Sequence, residues 1–309
     1  MEQATLRLGI LGFGEAGFRF AKDFAQAGVA DIVVYSRTAA KAAAGDAVYE
    51  RAKEIGVQLA KSPREVAKRA DLIIALTPGR SVIPVLRSIR KHLRPEQIYV
   101  DASSAAVTTM ERAAEMMNGS ARFVDAAIMS PVPLNGIKAA TVASGEYAEQ
   151  FRTLMTPYGM NIKVVGDKPG MASAMKLIRS VCIKGLSAVL LESLEAAQRY
   201  GVLEAAAADI AQSIDERPFT QNMNRYVCGT AMHAARRVHE MADALALLRS
   251  LGSSRRMTQA TRSKLDDVAQ MGLREKFSAR EPDSIAAVME AIVAVTGSSD
   301  PGKGAGAPG

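Results

Sequence analysis

Three glycines near the start of the chain have the spacing of a phosphate-binding turn. Gly12, Gly14 and Gly17 form GxGxxG between the aliphatic run RLGIL and an amphipathic helical pattern. The first glycine permits a tight turn, the second lets the backbone approach a pyrophosphate, and the third lets helix and strand pack closely. This context favours a dinucleotide site over a turn that needs glycine only for packing. The predicted cofactor contacts are Gly12, Phe13, Gly14, Glu15, Ala16 and Gly17.

A basic side chain follows the second aliphatic run, DIVVY, where dinucleotide sites for NAD commonly have an acid. The chain has Ser36, Arg37 and Thr38 there. A carboxylate would repel a 2′-phosphate, whereas a guanidinium and neighbouring hydroxyls can bind one. We therefore predict NADP(H) as the cofactor. The alternative is that Arg37 only covers the face of the adenine.

A lysine interrupts the apolar segment 170–201, whose pattern predicts one long helix. At 100° per residue, the polar residues of this helix fall in one narrow stripe. They are Ser173, Lys176, Ser180, Lys184 and Ser187. The stripe faces either bulk water or a polar cleft, and the residues alone leave both possibilities open. In a cleft, an ammonium beside a carbonyl could donate a proton as hydride arrives at carbon.

The order of the elements predicts an α/β fold with an all-helical second half. Short aliphatic runs alternate with helical patterns through residue 168, which indicates a Rossmann-type, doubly wound parallel sheet. Helical patterns alone fill residues 169–297, so we expect an all-α substrate and dimerisation domain there. Residues 298–309 are rich in Gly, Pro and Ser and are expected to form a flexible tail.

Composition narrows the class of protein further. The 309 residues are 48% hydrophobic and 23% charged, which is ordinary for a globular protein. The net charge of +7 is spread over many helices, so we expect anionic small molecules as partners and no nucleic acid. No apolar run approaches the roughly 20 residues that cross a bilayer, so we expect no membrane partner. The start of the chain does not resemble a signal peptide, and we expect a cytoplasmic location. Cys182 and Cys228 predict buried free thiols, and the scattered histidines predict no metal site.

Five stretches together resemble the β-hydroxyacid dehydrogenase superfamily over roughly residues 7–295. This superfamily includes 3-hydroxyisobutyrate and 6-phosphogluconate dehydrogenases. The stretches are GFGEAG with YSRT, DLIIALTPGRSV, VDASS, VDAAIMSPVP and GMASAMKLIRS. The MSPVP variant and the RRVHEM segment are most similar to a little-characterised branch with a distinctive C-terminal domain.

The resemblance implies roles for particular residues. Lys176 would be the catalytic acid and base, while Thr77, Pro78 and Ser103 would contact the cofactor. The residues expected to bind a small carbonyl-bearing or anionic substrate are Ser103, Ser104, Met129, Ser130, Pro131, Ser180 and His239. His239 has an alternative reading as part of a solvated basic face.

The chain also departs from the superfamily's pattern. Met129, Ser130 and Pro131 replace the usual Ser-Gly-Gly, and Ser180 stands where relatives commonly have asparagine. These changes leave the substrate's identity open. Met129 and Pro131 make the pocket less polar than that of relatives, which favours a bulkier or less acidic substrate.

The expected reaction is reversible hydride transfer without decarboxylation. Decarboxylating relatives have a glutamate seven residues beyond the lysine, where this chain has Ile183. Imine reductases share the architecture but usually replace the lysine by Asp or Tyr, so Lys176 speaks against that alternative. A dinucleotide-sensing protein without turnover is the second alternative.

The length of the predicted helix suggests a homodimer. A helix from Met171 to about Tyr200 would span about 45 Å, more than one small domain needs. If its side with Leu190, Leu191 and Leu194 were exposed, it would form a large apolar patch, so we expect a second copy to cover part of it.

Overall fold

A computed structural model of the chain describes residues 6–297. The predicted tail at residues 298–309 lies outside the described residues. The chain divides into two compact units between Val181 and Cys182. The predicted boundary after residue 168 lies just before the long helix begins at Met171, and this helix continues across the division between the two units.

The first unit is built on one eight-stranded sheet. Its strands are β1 Arg7–Leu11, β2 Asp31–Tyr35, β3 Gln58–Leu59, β4 Leu72–Ala75, β5 Ile98–Asp101, β6 Arg122–Ile128, β7 Thr141–Ser144 and β8 Ile162–Gly166. The strand order is β3-β2-β1-β4-β5-β6-β7-β8. Neighbouring strands are parallel except β6 and β7, which are antiparallel.

Helices flank this sheet and continue beyond it. Those before the long helix are α1 Glu15–Gln26, α2 Ala47–Glu54, α3 Pro63–Arg69, α4 Val82–Ile89, α5 Val107–Met117, α6 Val132–Asn135 and α7 Ala148–Met155. The long helix is α8 Met171–Tyr200. The remaining helices are α9 Leu203–Asp215, α10 Phe219–Ser250, α11 Arg256–Gln270, α12 Leu273–Lys276 and α13 Ile285–Thr296. The expected fold class is therefore confirmed, and the antiparallel pair is its one departure from a fully parallel sheet.

Both faces of the sheet are buried because successive strand residues point to opposite sides. On β1, Ile10 packs in one cluster with Phe20 and Phe24 of α1. The next residue, Leu11, packs in the other cluster with helices that include α4 and its Leu86. These two apolar layers explain why the strands read as continuous aliphatic runs in the sequence.

The second unit has its own helical core. Cys228 and Ala231 of α10 pack there with residues of α11, α12 and α13. Glu192, near the end of α8, accepts hydrogen bonds from the backbone N–H of Met257 and of Thr258 at the start of α11. The helical patterns are thus realised as a packed unit. Within residues 6–297, no helix combines the length and the apolar character needed to cross a membrane.

One detail of the sequence reading is wrong. Cys228 is buried as expected, but Cys182 is exposed on α8. The apolar neighbours of Cys182 suggested a buried helix, yet Ile178 and Val181 on the same helix are also exposed within this single chain.

Candidate functional site

The glycine-rich turn joins β1 to α1 beside β4, at the point where the strand order changes direction. Gly12 has φ +103°, and a Cβ there would lie 2.3 Å from the carbonyl oxygen of Leu76. A Cβ on Gly17 would lie 1.9 Å from the carbonyl oxygen of Gly12. Gly12 and Gly17 are therefore required by the packing of the turn itself.

Gly14 differs from the other two glycines because a side chain there would contact no other atom of the protein. A Cβ placed on Gly14 has no neighbouring atom within 4 Å, and Gly14 is the N-cap of α1 without a capping side chain. Open space directly in front of a helix N-terminus suits a phosphate group. The residues present therefore fit the pyrophosphate of a dinucleotide.

The carboxyl end of β2 presents the predicted ribose-recognition residues. Arg37 and Thr38 have exposed side chains. The Ser36 hydroxyl instead accepts a hydrogen bond from the N–H of Ala39 at 3.0 Å, which fixes the 3₁₀ turn that follows. The Arg37 and Thr38 side chains are therefore the ones open to solvent. In this fold, the adenosine end of a dinucleotide binds beside the end of this strand.

A cavity of about 350 Å³ opens next to the glycine-rich turn, at the carboxyl ends of β4 and β5. Its wall combines predicted cofactor and substrate residues with the predicted catalytic lysine. The lining residues are Ala16, Leu76, Thr77, Pro78, Gly79, Ala102, Ser103, Ser104, Ile128, Ser130, Val132 and Lys176. Ligands of doubly wound sheets bind in crevices of this kind, outside the strand ends at the switch point.

One polar contact in this wall joins α8 to the loop after β5. The Lys176 Nζ donates a hydrogen bond to the Ser104 hydroxyl at 2.8 Å. Lys176 is half-buried, whereas Ser104 is exposed. An ammonium and a hydroxyl at hydrogen-bond distance in a cavity wall can bind a carbonyl oxygen and exchange a proton with it.

The Ser104 loop is fixed on two sides. The Ser103 hydroxyl accepts a hydrogen bond from the N–H of Thr77 at 3.3 Å and lies 3.2 Å from its hydroxyl. At Gly79, a Cβ would lie 2.1 Å from the carbonyl oxygen of Ser104, so the two backbones are in direct contact. The loops after β4 and β5 therefore form one wall.

Asp101, at the end of β5, anchors this loop from beneath. Its carboxylate accepts a hydrogen bond from the Ser103 N–H at 3.0 Å, while its other oxygen is buried without a hydrogen-bond partner. Burial raises the pKa of Asp101 to about 6, the hydrogen bonds from Ser103 oppose this rise, and the charge of Asp125 adds to it. Asp101 therefore titrates much closer to neutrality than an exposed aspartate.

A second buried acid, Asp125 of β6, binds the start of α8. It accepts hydrogen bonds from the N–H groups of Gly170 at 3.0 Å and of Ser173 at 3.1 Å, and from the Ser173 hydroxyl at 2.8 Å. Burial raises the pKa of Asp125, and the hydrogen bonds it accepts lower it. Both acids lie within motifs noted in the sequence, VDASS and VDAAIMSPVP, but neither was predicted to have a role. The signal available was an acid directly after a buried aliphatic run.

The segment after β6 forms another part of the wall and is held by α1. Arg19 forms an ion pair with Asp23 at 2.9 Å and donates to the carbonyl oxygen of Pro133 at 2.9 Å. Asp23 also accepts a hydrogen bond from the N–H of Ile137 at 3.0 Å. A Cβ on Gly136, where φ is +53°, would lie 1.7 Å from the Asp23 carboxylate. This segment is therefore tightly seated on α1.

Some predicted substrate residues do not line this cavity. The Met129 side chain packs against the apolar cluster under α8, and its carbonyl oxygen accepts a hydrogen bond from Arg179 at 2.7 Å. Pro131 is exposed, and Ser180 is half-buried one turn beyond Lys176. His239 is exposed on α10 in the second unit. Their contacts with a substrate stay predictions.

Comparison with known proteins agrees with this geometry. Residues 7–166 match the family described as the NAD binding domain of 6-phosphogluconate dehydrogenase, and residues 197–268 match a domain of unknown function, DUF1932. The first match covers just over half of the chain. The chain therefore belongs to the 6-phosphogluconate dehydrogenase-like family of dinucleotide-binding oxidoreductases, which confirms the resemblance read from its motifs.

The chain is also similar to several solved structures. The conserved protein MTH1747, described as structurally similar to 3-hydroxyacid dehydrogenases, is 30% identical with a TM-score of 0.59, over 86% of this chain and 97% of that one. A conserved hypothetical protein from Sinorhizobium meliloti is 28% identical with a TM-score of 0.62, over 95% and 98%. An imine reductase from Myxococcus stipitatus in complex with NADP⁺ is 21% identical with a TM-score of 0.71, over 93% and 99%, and this likeness shows the fold.

Substitution of Gly17 and of Gly14 by alanine is expected to have different effects. Gly17→Ala places a Cβ against backbone, so we expect a lower melting temperature and loss of dinucleotide binding. Gly14→Ala meets no atom of the protein. We expect it to fold normally while its dinucleotide Kd rises about tenfold or more, because the methyl group occupies the phosphate's space. Thermal unfolding and cofactor titration measure the two effects, and unchanged binding by Gly14→Ala would contradict the placement of the phosphate.

The raised pKa of Asp101 predicts how stability depends on pH. Between its ordinary value of 3.8 and about 6, the folded chain binds more protons at this site than the unfolded chain. Stability therefore falls as pH rises through this window. Between about pH 5 and about pH 7, the titration of Asp101 lowers the free energy of unfolding by on the order of 1 kcal/mol. Urea unfolding of Asp101→Asn should show a decline smaller by that amount.

Asp71→Asn is the control for this measurement. Asp71 is an aspartate whose pKa Arg7 lowers, so its titration lies below the window and its replacement should leave the decline unchanged. Equal declines in wild type and Asp101→Asn would show that Asp101 is not the buried acid described here.

Proposed function

We propose that the protein is an NADP(H)-dependent oxidoreductase that interconverts a small β-hydroxyacid and the corresponding semialdehyde or ketone without decarboxylation. The observation that carries the proposal is the Lys176–Ser104 contact in the wall of the cavity at the switch point. Membership in the dehydrogenase family and the fit of the glycine-rich turn to a dinucleotide support it.

In this proposal the protein's residues bind and protonate the substrate. A dinucleotide held at the glycine-rich turn would supply or accept the hydride through its nicotinamide. The Ser104 hydroxyl and the Lys176 ammonium orient the carbonyl oxygen, and Lys176 donates a proton to it during reduction. In the reverse direction, the neutral amine of Lys176 accepts the proton of the hydroxyl group. Ile183, which has no exchangeable side-chain proton, occupies the position seven residues beyond Lys176 and is consistent with a reaction without decarboxylation.

The contribution of Lys176 is tested by substitution. Lys176→Ala should lower kcat about 100-fold or more, because the proton transfer loses its donor, and should leave the cofactor Kd within about twofold. Lys176→Arg keeps the positive charge but cannot give up its proton at neutral pH, so we expect it to be nearly as slow. Absorbance of the reduced nicotinamide, followed with a panel of 3-hydroxy acids and semialdehydes, gives the rates.

Lys184→Ala is the matched control, since Lys184 is an exposed lysine of the same helix. It should retain wild-type rates. Full activity of Lys176→Ala would refute the mechanism. Dinucleotide binding by the wild type without turnover on any of the compounds would favour the alternative of a sensing protein.

The preference for NADP(H) is the second part of the proposal. The exposed Arg37 and Thr38 follow the carboxyl end of β2, where the adenosine ribose binds in this fold. Arg37→Asp replaces an attractive charge by a repulsive one. We expect its Kd for NADP⁺ to rise about tenfold to hundredfold while binding of NAD⁺ is unchanged or stronger. Titration of the wild type and the variant with both cofactors measures this preference. If the ratio of the two affinities is the same in both proteins, Arg37 only covers the adenine.

Imine reduction is the nearest alternative activity because imine reductases share this fold. Lys176 is the feature that favours the hydroxyacid chemistry, since the resemblance associates a lysine at this position with hydroxyacid dehydrogenases. Adding cyclic imines to the same panel of substrates separates the two activities. Turnover of imines alone would assign the site to the alternative.

A homodimer is the remaining part of the proposal. Ile178, Val181 and Leu191 on α8 have 70%, 77% and 73% of their surface exposed, while Leu190 and Leu194 are half-buried. An apolar surface of this extent on one helix is typical of a protein interface. A second copy of the chain covering this helix would bury it. The cytoplasmic location stays a prediction.

A further inference from the structure

A row of buried polar side chains crosses three neighbouring strands beneath the cavity. Asp101 of β5 pairs in register with Asp125 of β6, and Asp125 pairs in register with Ser144 of β7. All three residues have no exposed surface. Buried carboxyl groups are costly unless hydrogen bonds satisfy them, so such a row needs a reason within the structure.

The row provides the hydrogen-bond acceptors for the start of α8. Asp125 accepts from the N–H groups of Gly170 and Ser173, and the Ser144 hydroxyl accepts from the N–H of Ala172 at 3.0 Å. The Ser144 hydroxyl in turn donates to Asp125 at 3.3 Å. The first turn of a helix leaves its N–H groups without partners inside the helix, and a negative charge there is stabilising. The beginning of α8 is thus held by side chains of two strands.

This capping also sets the direction of Lys176. Lys176 follows Ser173 by three residues, so the two side chains lie on the same face of the helix. Because the hydroxyl and the N–H of Ser173 are both bound to Asp125, the rotation of this face about the helix axis is fixed. The Lys176 ammonium is thereby directed to Ser104, whose loop is bound to Asp101, the strand neighbour of Asp125.

We propose that Asp125, together with Ser144, is a positioning residue for Lys176. Asp125 acts through the first turn of α8, and its strand neighbour Asp101 accepts a hydrogen bond from the N–H of Ser103, the residue before Ser104. The proposal depends on the proposed function only where it concerns turnover. A displacement of the ammonium by about 1 Å is enough to slow a reaction about 100-fold.

Chemical labelling of lysines tests the position of Lys176 without any substrate. Trace acetylation with acetic anhydride, followed by peptide mass spectrometry, gives the rate at Lys176 relative to Lys184, the exposed lysine of the same helix. In Asp125→Ala we expect this ratio to rise about threefold or more, because the ammonium leaves its contact with Ser104. Asp125→Asn keeps the shape and most of the hydrogen bonds, so it should restore most of the wild-type ratio. Ser144→Ala should shift the ratio in the same direction as Asp125→Ala, but less.

Turnover then provides the second measurement. With an active substrate, kcat should fall about tenfold to hundredfold in Asp125→Ala and recover in Asp125→Asn, while the cofactor Kd stays within about twofold. If Asp125→Ala does not fold, the labelling ratio of Lys176 to Lys184 in Ser144→Ala tests the proposal instead. A wild-type labelling ratio in a folded Asp125→Ala or Ser144→Ala variant overturns the proposal, even where kcat falls. If the labelling ratio changes in the variants while the wild type turns over no compound of the panel, the positioning role stands and the alternative of a sensing protein is favoured.

Discussion

The capping of α8 by Asp125 is the interaction on which the arrangement of the site depends. The buried carboxylate needs hydrogen-bond donors, and the first turn of the helix needs acceptors, so each satisfies a requirement of the other. The four hydrogen bonds that Asp125 accepts, from Gly170, Ser144 and twice from Ser173, offset part of the cost of its burial, and the pKa of Asp125 stays raised. Removal of either side would leave the other buried and unsatisfied, which makes this junction specific as well as stable.

The parts of the fold that depend on local chemistry were readable from the sequence. Gly12 and Gly17 are glycines for steric reasons that a strand–turn–helix pattern already implies, and the aliphatic runs become strands buried on both faces. Lys176 was recognisable because a charged residue in an apolar helix needs a polar environment. The structure provides that environment in the Ser104 hydroxyl.

Features that depend on pairing between distant segments were not readable. Nothing local shows that Asp101 stands beside Asp125, because the register between two strands is set by the whole sheet. The antiparallel direction of β7 was missed for the same reason, and it is this direction that brings Ser144 level with Asp125. Met129 and Pro131 were assigned to the site by alignment with relatives, whereas only their neighbours Ile128, Ser130 and Val132 line the cavity.

The seating of the segment after β6 on α1 limits how this pocket can change during evolution. Gly136 cannot gain a side chain, because its φ is positive and the Asp23 carboxylate occupies the space. Two residues earlier, Leu134 has 79% of its surface exposed, so a change of its side chain removes little packing. Within this segment, substitutions are therefore expected at Leu134 and not at Gly136. Two positions of one short segment are thus under opposite constraints, one from a contact with α1 and the other from solvent alone.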